Sequence, residues 1–377
     1  SGSAEAAKKL SSRLTAKKSL EMARLTDELS VGDTILLNNG LLTFRVEKIE
    51  GADIECKVIC GGELSDRKSM SFPGKVMKQK YLSDQDKSDI AFGVENGIDY
   101  IACSFVSNKQ NLIDVQDYLA SLDAAGIELI AKIENQSGVD NIEEICQYCD
   151  GIMVARGDMG VEVPLEDVPV IQKRMIRKAV AKGKHVITAT QMLESMTKNP
   201  RPTRAEATDV ANAIFDGTTA IMLSGESANG KYPVEAVKTM AKIAERAEKD
   251  IDYNKRLKKI VDSEEQDITG AISHATCTIA ADLNAAAIIT VSMSGFTAEK
   301  LSRFKPACPI ICCSVNPRVC RQAALLWGVT PLLIEKKTTP EDLFKEALWV
   351  AEKAGKIQEI PKGTLLMRAR ESVEFIY

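Results

Sequence analysis

The sequence predicts an α/β protein built around a parallel sheet, either doubly wound or closed into a barrel. Three observations predict it. From about Tyr81 to Tyr253, helical patterns alternate with short β-like runs in five units joined by short connectors, the mark of βα repeats. Before that stretch, Leu25 to Lys78 breaks into short apolar runs separated by turn residues. After it, from about Gln266, strands and helices alternate again. A chain of 377 residues, at roughly 100–200 per domain, holds two or three domains. The expected boundaries are 1–24 for a leader or vector-derived segment, 25–78 for a partial small β domain acting as a lid, 79–253 for the (β/α) portion and 254–377 for a C-terminal α/β domain.

The elements follow in order. In the first region, Thr34–Leu37 leads through Asn38-Asn39-Gly40 to a run from Leu42 to Ile49, and Gly51-Ala52-Asp53 leads to Ile54–Ile59. The Asn-Gly step favours a tight hairpin turn, so the region reads as antiparallel. In the second, helix Ser83–Asn96 precedes strand Tyr100–Phe105, and helix Leu112–Leu122 precedes strand Leu129–Ile133. Helix Asn141–Cys149 precedes Ile152–Ala155, helix Leu165–Lys182 precedes His185–Ala189, and helix Ala205–Phe215 precedes Ala220–Leu223. Helix Pro233–Asp250 closes the series. In the helix over 165–182, Val168, Ile171, Met175 and Ala179 recur three or four apart and form one buried stripe. Lys173, Arg174, Arg177 and Lys178 fall mostly on the other faces and read as a solvated surface. The third region offers strands Ala287–Val291, Ile310–Cys313 and Pro331–Ile334.

Composition excludes several functions. A net charge of −4 argues against general binding to nucleic acid or an anionic membrane surface. No run approaches about 18 apolar residues, so no membrane span is expected. Ten scattered cysteines in a chain this long are not a disulfide framework and suit the cytoplasm. Cys146 and Cys149 form a CxxC without a second pair, so packed thiols are the better reading than zinc. The only two histidines, His185 and His274, lie in structural patterns, so the chemistry must run on Lys, Asp, Glu and Thr.

In a parallel barrel, functional groups gather where strands end. One expected strand ends Lys132-Ile133-Glu134, and residues two apart share a face. The next ends Arg156-Gly157-Asp158, where glycine lets backbone approach a ligand and a following helix offers N–H donors. Glu134 and Asp158 are hard oxygen ligands suited to Mg²⁺ or Mn²⁺. The following two strands end Thr188-Ala189-Thr190 and Leu223-Ser224-Gly225-Glu226. A lysine, two carboxylates and two hydroxyls on one rim suggest a metal-assisted site for an anionic substrate. The plainer alternative is a structural ion pair between Lys132 and Glu134.

These segments resemble the pyruvate kinase family. The resemblance lies in Ala131–Asn135, Asp150–Asp158, Ala189–Met196, Pro200–Glu206, Asp209–Ala213 and Ile221–Glu226, and it runs from about Leu25 to Val329. It implies a pyruvate-kinase-like (β/α) barrel and phosphoryl transfer from phosphoenolpyruvate to ADP, giving pyruvate and ATP. Glu134 and Asp158 would hold Mg²⁺ or Mn²⁺. Gly157, Asp158 and Thr190 would hold phosphoenolpyruvate, Lys132 would stabilise the moving phosphoryl group and the enolate, and Thr190 would lie where the enolate gains its proton. The resemblance also implies K⁺, ADP between barrel and lid, and a homo-tetramer. Ser292-Met293-Ser294-Gly295-Phe296-Thr297 resembles the family's regulatory phosphate loop, so Ser292, Ser294, Gly295 and Thr297 are expected either to bind a phosphorylated effector or to form a simple loop.

The sequence also departs from the family. The family's Arg-Leu-Asn-Phe-Ser-His-Gly and Asp-Thr-Lys-Gly-Pro-Glu-Ile-Arg segments, which supply a phosphate-binding arginine and most K⁺ ligands, do not occur. A barrel of eight strands would lack about three, so an incomplete barrel is expected. Three explanations stand: residues of a longer chain are omitted, a second chain completes the barrel, or the protein is a remodelled, catalytically impaired relative acting as a ligand-binding or assembly partner.

Overall fold

The structure, a computed structural model, describes residues 25–65, 68, 70–75, 80–261, 267–355, 365–367 and 373–375. The expected leader over 1–24 and most of the ending after 355 lie outside the described residues.

The first unit opens with helix α1 (Leu25–Glu28) and strands β1 (Thr34–Leu37), β2 (Leu42–Glu50), β3 (Asp53–Cys60) and β4 (Met70–Ser71). They pair antiparallel in the order β3-β2-β1-β4. Asn38, Asn39 and Gly40 all take positive φ (53°, 56° and 81°), as the tight turn between β1 and β2 requires. Leu37, Leu42, Phe44 and Val46 alternate inward to form this sheet's core.

The central unit is a five-stranded parallel sheet, β5-β6-β7-β8-β9, in sequential order. Helix α2 (Asp84–Glu95) leads to β5 (Tyr100–Cys103), α3 (Lys109–Ser121) to β6 (Glu128–Ile133), and α4 (Gln136–Asp140) with α5 (Ile142–Tyr148) to β7 (Gly151–Ala155). Helices α6 (Arg156–Glu162) and α7 (Val168–Ala181) precede β8 (His185–Ala189), and α8 (Arg204–Asp216) precedes β9 (Ala220–Met222). Helices α9 (Gly225–Ala228) and α10 (Pro233–Glu248) follow. Caps fix the helix starts: Ser83 with Asp86, and Thr203 with Glu206, form reciprocal capping boxes. Strand β7 is buried at every position: Ile152 and Val154 join the core shared with the helices, and Met153 and Ala155 join Ile130 and Ala189 of the neighbouring strands on the other face.

In α7, Val168, Ile171, Met175 and Ala179 are buried as the periodicity predicts. Its basic residues face solvent, where Lys173 pairs with Asp216 and Lys178 with Glu143. The helix itself starts later than expected, because Leu165–Asp167 form a separate 3₁₀ turn after Pro164.

The third unit comprises α11 (Tyr253–Val261), α12 (Ile268–Asp282), β10 (Ile288–Val291), α13 (Phe296–Phe304), β11 (Ile310–Ser314), α14 (Pro317–Ala323), β12 (Val329–Leu333), α15 (Pro340–Lys353), β13 (Leu365–Met367) and β14 (Val373–Phe375). Its strand order is β12-β11-β10-β13-β14, parallel except for the final pair. Helix α14 docks on the N-terminal ends of β5 and β6. Arg321 holds Asp99 through two hydrogen bonds (2.6 and 2.9 Å), and the Gln322 amide donates to the Gly126 carbonyl (3.0 Å). Tyr100 returns a bond to the Gln322 carbonyl, and Leu325 packs against the cluster that holds Ile130 and Met153. The third unit therefore closes the bottom of the sheet and leaves the strand C-termini to the lid. Among the described residues, no helix is long and apolar enough to cross a membrane.

Candidate active site

The sheet's C-terminal edge gathers the residues singled out in the sequence. Lys132 lies on β6 and Glu134 just beyond it. The strand stops there because the Asn135 side chain accepts from the Gly138 amide (2.8 Å) and starts α4. Lys132 Nζ donates to the Ser104 hydroxyl (2.8 Å) and lies 2.9 Å from Glu134 Oε1. Glu134 is fully buried, and its Oε2 accepts the Phe105 amide (2.7 Å). Its Oε1 is ion-paired with Lys132 but receives no hydrogen bond. Burial pushes the Glu134 carboxyl above the usual range; the Asp158 charge adds to that rise, while Lys132 and the Phe105 amide oppose it.

Asp158 stands in the first turn of α6, directly after β7. Among the described residues, no cluster of three or more His, Cys, Asp or Glu side chains could hold a metal unaided. Two carboxylates whose charges influence each other, one with a buried lone pair lacking a hydrogen bond, fit Mg²⁺ or Mn²⁺, ions that keep waters and substrate oxygens as remaining ligands. Buried Cys146 and Cys149 have no such third partner.

Thr190 closes β8 at φ 69°, and Gln191 follows at φ 52°. Two successive non-glycine residues in the left-handed region, one β-branched, cost of order 1–3 kcal/mol each. The Thr190 hydroxyl donates to its neighbour's carbonyl, Ala189 O (2.6 Å), and accepts the Gly157 amide (2.7 Å). Thr190, Gly157 and Asp158 are thus brought together, but the Gly157 amide already has a protein acceptor. Arg156 reaches across to the Thr190 carbonyl (2.7 Å) and to Asp209 (2.7 Å). Buried Glu226 accepts the amides of Leu193 (3.0 Å) and Ser224 (2.8 Å). Sequence reasoning gave no role to Ser104, Arg156, Asp209 or Glu226. Arg156 carried a signal, since it opens the same strand-end segment as Asp158; the others are set by tertiary contacts.

The lid rests on α6. Glu162 is held by the Ser71 hydroxyl and the Phe72 amide, and burial pushes its carboxyl upward against those bonds. The space at Gly40 faces Val161, 3.4 Å from where a Cβ would lie. A cavity of about 990 Å³ lies between lid and sheet, walled by Phe72, Lys75, Ser104, Phe105 and Asn135. It borders the Lys132–Glu134 pair without including it.

The loop over 292–297 follows β10. Ser292 and Thr297 are buried, Ser294 is exposed, and Gly295 at φ 82° turns the chain into α13. The Ser292 hydroxyl accepts the Gly295 amide (2.9 Å), so it serves the turn itself.

Comparison with known proteins identifies relatives of the whole described fold. The family profile for the pyruvate kinase barrel domain matches residues 5–237, beginning inside the segment expected to be a leader. The profile for the pyruvate kinase alpha/beta domain matches residues 270–366. A pyruvate kinase of Clostridium acetobutylicum is 46% identical over 353 residues, covering 94% of this chain and 74% of the relative. One from Clostridium perfringens is 44% identical, covering 89% of this chain and 71% of the relative. A crystal structure of a pyruvate kinase from Cryptosporidium parvum superposes with a TM-score of 0.88 at 36% identity, covering 94% of this chain and 74% of that one. On sequence and architecture together, the chain belongs to the pyruvate kinase family.

Proposed function

We propose that this protein transfers the phosphoryl group of phosphoenolpyruvate to ADP, giving pyruvate and ATP in glycolysis. The observation that carries the residue-level reading is the 2.9 Å approach of Lys132 to a Glu134 carboxylate buried at the strand ends, in a chain 46% identical to a pyruvate kinase.

Phosphoenolpyruvate sits between Lys132, Thr190 and the backbone at Gly157 and Asp158. An oxygen of the ADP β-phosphate attacks phosphorus, the bond from phosphorus to the enol oxygen breaks, and its electron pair stays on the enolate. Lys132 holds its charge beside both the phosphoryl oxygens and the enolate oxygen, where a fixed cation lowers the barrier most. The enolate carbon then takes a proton at the Thr190 face. Glu134 and Asp158 would hold Mg²⁺ or Mn²⁺, and such an ion would supply positive charge to offset that of the phosphoryl group. ADP enters the cavity beneath the lid. K⁺ is expected from the family, but the segments that would hold most of it are not in this sequence, and none of its residues is assigned to K⁺ here. Ten free thiols favour a reducing compartment, and we place the protein in the cytoplasm. The loop of Ser292, Ser294, Gly295 and Thr297 is the candidate site for a phosphorylated effector. The functional assembly is a homo-oligomer, or a pair of chains sharing one barrel.

The test couples pyruvate formation to lactate dehydrogenase with Mg²⁺ and K⁺ present. Metal-dependent turnover is expected, with Asp158→Asn raising the Mg²⁺ concentration needed for half-maximal rate. Absence of turnover by a folded, metal-saturated protein would overturn catalysis by this chain. It would favour the second reading, a catalytically impaired relative acting as a ligand-binding or assembly partner.

A further inference from the structure

The strained turn at Thr190 and Gln191 is tied at both ends. At its start, the Arg156 guanidinium donates to the Thr190 carbonyl (2.7 Å) and approaches the Ala189 carbonyl (3.4 Å). The remaining nitrogen of the same fork, Nη1, meets both oxygens of Asp209, at 2.7 and 2.6 Å. At the turn's end, Glu226 holds the Leu193 amide and, through Ser224, the end of β9. Arg156 is 10% exposed and Asp209 34%, so the guanidinium lies largely out of water while its brace meets solvent on one side; charge-assisted bonds on a planar fork hold geometry well. A left-handed threonine persists only where surrounding structure enforces it. Here the enforcement comes from a side chain on α6 braced by one on α8.

Arg156 and Asp209 touch neither reacting atoms nor the expected metal ligands. Their contacts fix the backbone from which the Thr190 hydroxyl projects toward the Gly157 amide. A lysine at 156 could meet Asp209 or the carbonyl, but its single ammonium lacks the planar fork that meets both. We infer that Arg156 and Asp209 are positioning residues that hold Thr190 in its left-handed conformation, and that this placement governs proton delivery to the enolate carbon. The inference rests on the reading of Thr190 as the residue at the protonated face.

The experiment separates that step from phosphoryl transfer. An enzyme that protonates the enolate also removes a proton from the pyruvate methyl group in reverse. Uptake of solvent deuterium into pyruvate, followed by NMR with Mg²⁺ and ATP present, therefore reports the proton step. Asp209→Asn and Arg156→Lys are each expected to slow this uptake about 100-fold, as a misplaced catalytic group does. The KM for phosphoenolpyruvate should rise as well, because Thr190 and Gly157 also hold that substrate, so uptake is compared at saturating pyruvate. Gln191→Gly, which relaxes the turn, is expected to restore at least about threefold of the rate to Asp209→Asn, since glycine accepts positive φ without strain. Circular dichroism and Tm establish that each variant folds. Normal deuterium uptake in folded Asp209→Asn and Arg156→Lys overturns the inference, as does a defect that Gln191→Gly leaves untouched. Thr190→Val distinguishes the two levels. Uptake that survives it removes the reading of Thr190 itself; uptake that it abolishes while Asp209→Asn leaves uptake intact removes only the positioning role.

Discussion

The Lys132 ammonium lies 2.9 Å from the Glu134 carboxylate and donates a 2.8 Å hydrogen bond to Ser104, so one cation joins the ends of β5 and β6. The same group is asked to hold a buried carboxylate ionised and to meet developing negative charge. Those two tasks can be separated by mutation.

Lys132→Met should lower kcat at least about 100-fold, the usual effect of deleting one preorganised charge partner. It should also leave Glu134 buried without its counterion. Burial already raises the Glu134 carboxyl, and loss of Lys132 raises it further. A raised folded value means stability that is present below the unfolded pKa and lost as pH climbs through the folded one. The Tm deficit against wild type should therefore be smallest near pH 4, the ordinary glutamate range of about 4.3, and grow toward neutrality. Thermal melts of both proteins from pH 4 to 8 check this; a deficit independent of pH would contradict it.

Lys305 predicts the opposite slope. It is fully buried at the end of α13, donates to the Gly217 carbonyl at the end of α8, and lies 5.9 Å from the Trp327 ring centroid. Burial, with Arg256 adding to it, pulls its pKa from 10.5 to about 7. Between those values the unfolded chain binds the proton and the folded chain does not, so stability should rise with pH. The slope is at most about 1.4 kcal/mol per pH unit. Denaturant titrations of wild type against Lys305→Met from pH 7 to 10 should show this difference; parallel curves would rule it out.

Gly138 is predicted to be intolerant of any side chain. A Cβ there would lie 2.4 Å from the Val106 carbonyl oxygen, which is backbone and cannot swing away. Gly138→Ala should cost about 1–3 kcal/mol, the range for overpacking. It should also depress activity, because the neighbouring Phe105 amide is the one that holds Glu134. Equilibrium unfolding and kcat measured together check both parts.

The two contacts of α14 should differ in worth. Arg321 is exposed, and its paired charges with Asp99 are screened by water, so Arg321→Ala should scarcely move the Tm. Gln322 is buried and its amide satisfies the Gly126 carbonyl, so Gln322→Ala should cost about 1–2 kcal/mol. A larger loss from the arginine than from the glutamine would reverse this ordering.

Most of the architecture was legible because the sequence alternates cleanly between periods of two and 3.6. Strand His185–Ala189 was read to the residue, and the four residues expected to line the buried stripe of α7 are buried, joined by Gln172 and Ile176. Lys132 and Glu134 were found because alternation along a strand is a local rule. Asp209 and Glu226 gained no role because their importance comes from where α8 and α9 land against β8, a long-range fact with no periodic signature. Ser104 was passed over for a similar reason: nothing near it in sequence shows that the Lys132 ammonium will arrive from the next strand. The start of α7 was misjudged because Pro164 suits either a helix or the 3₁₀ turn found there.

Helix α6 has a mechanical consequence. Asp158 and Glu162 lie four residues apart on this seven-residue element, the first in the turn directly after β7 and the second receiving Ser71 and Phe72. So short a rod cannot flex between its ends, and the roof and the floor of the cleft share one handle. A nucleotide that draws the roof down and a cation that settles on Asp158 pull on the same rigid piece. Any help one gives the other must be returned in equal measure.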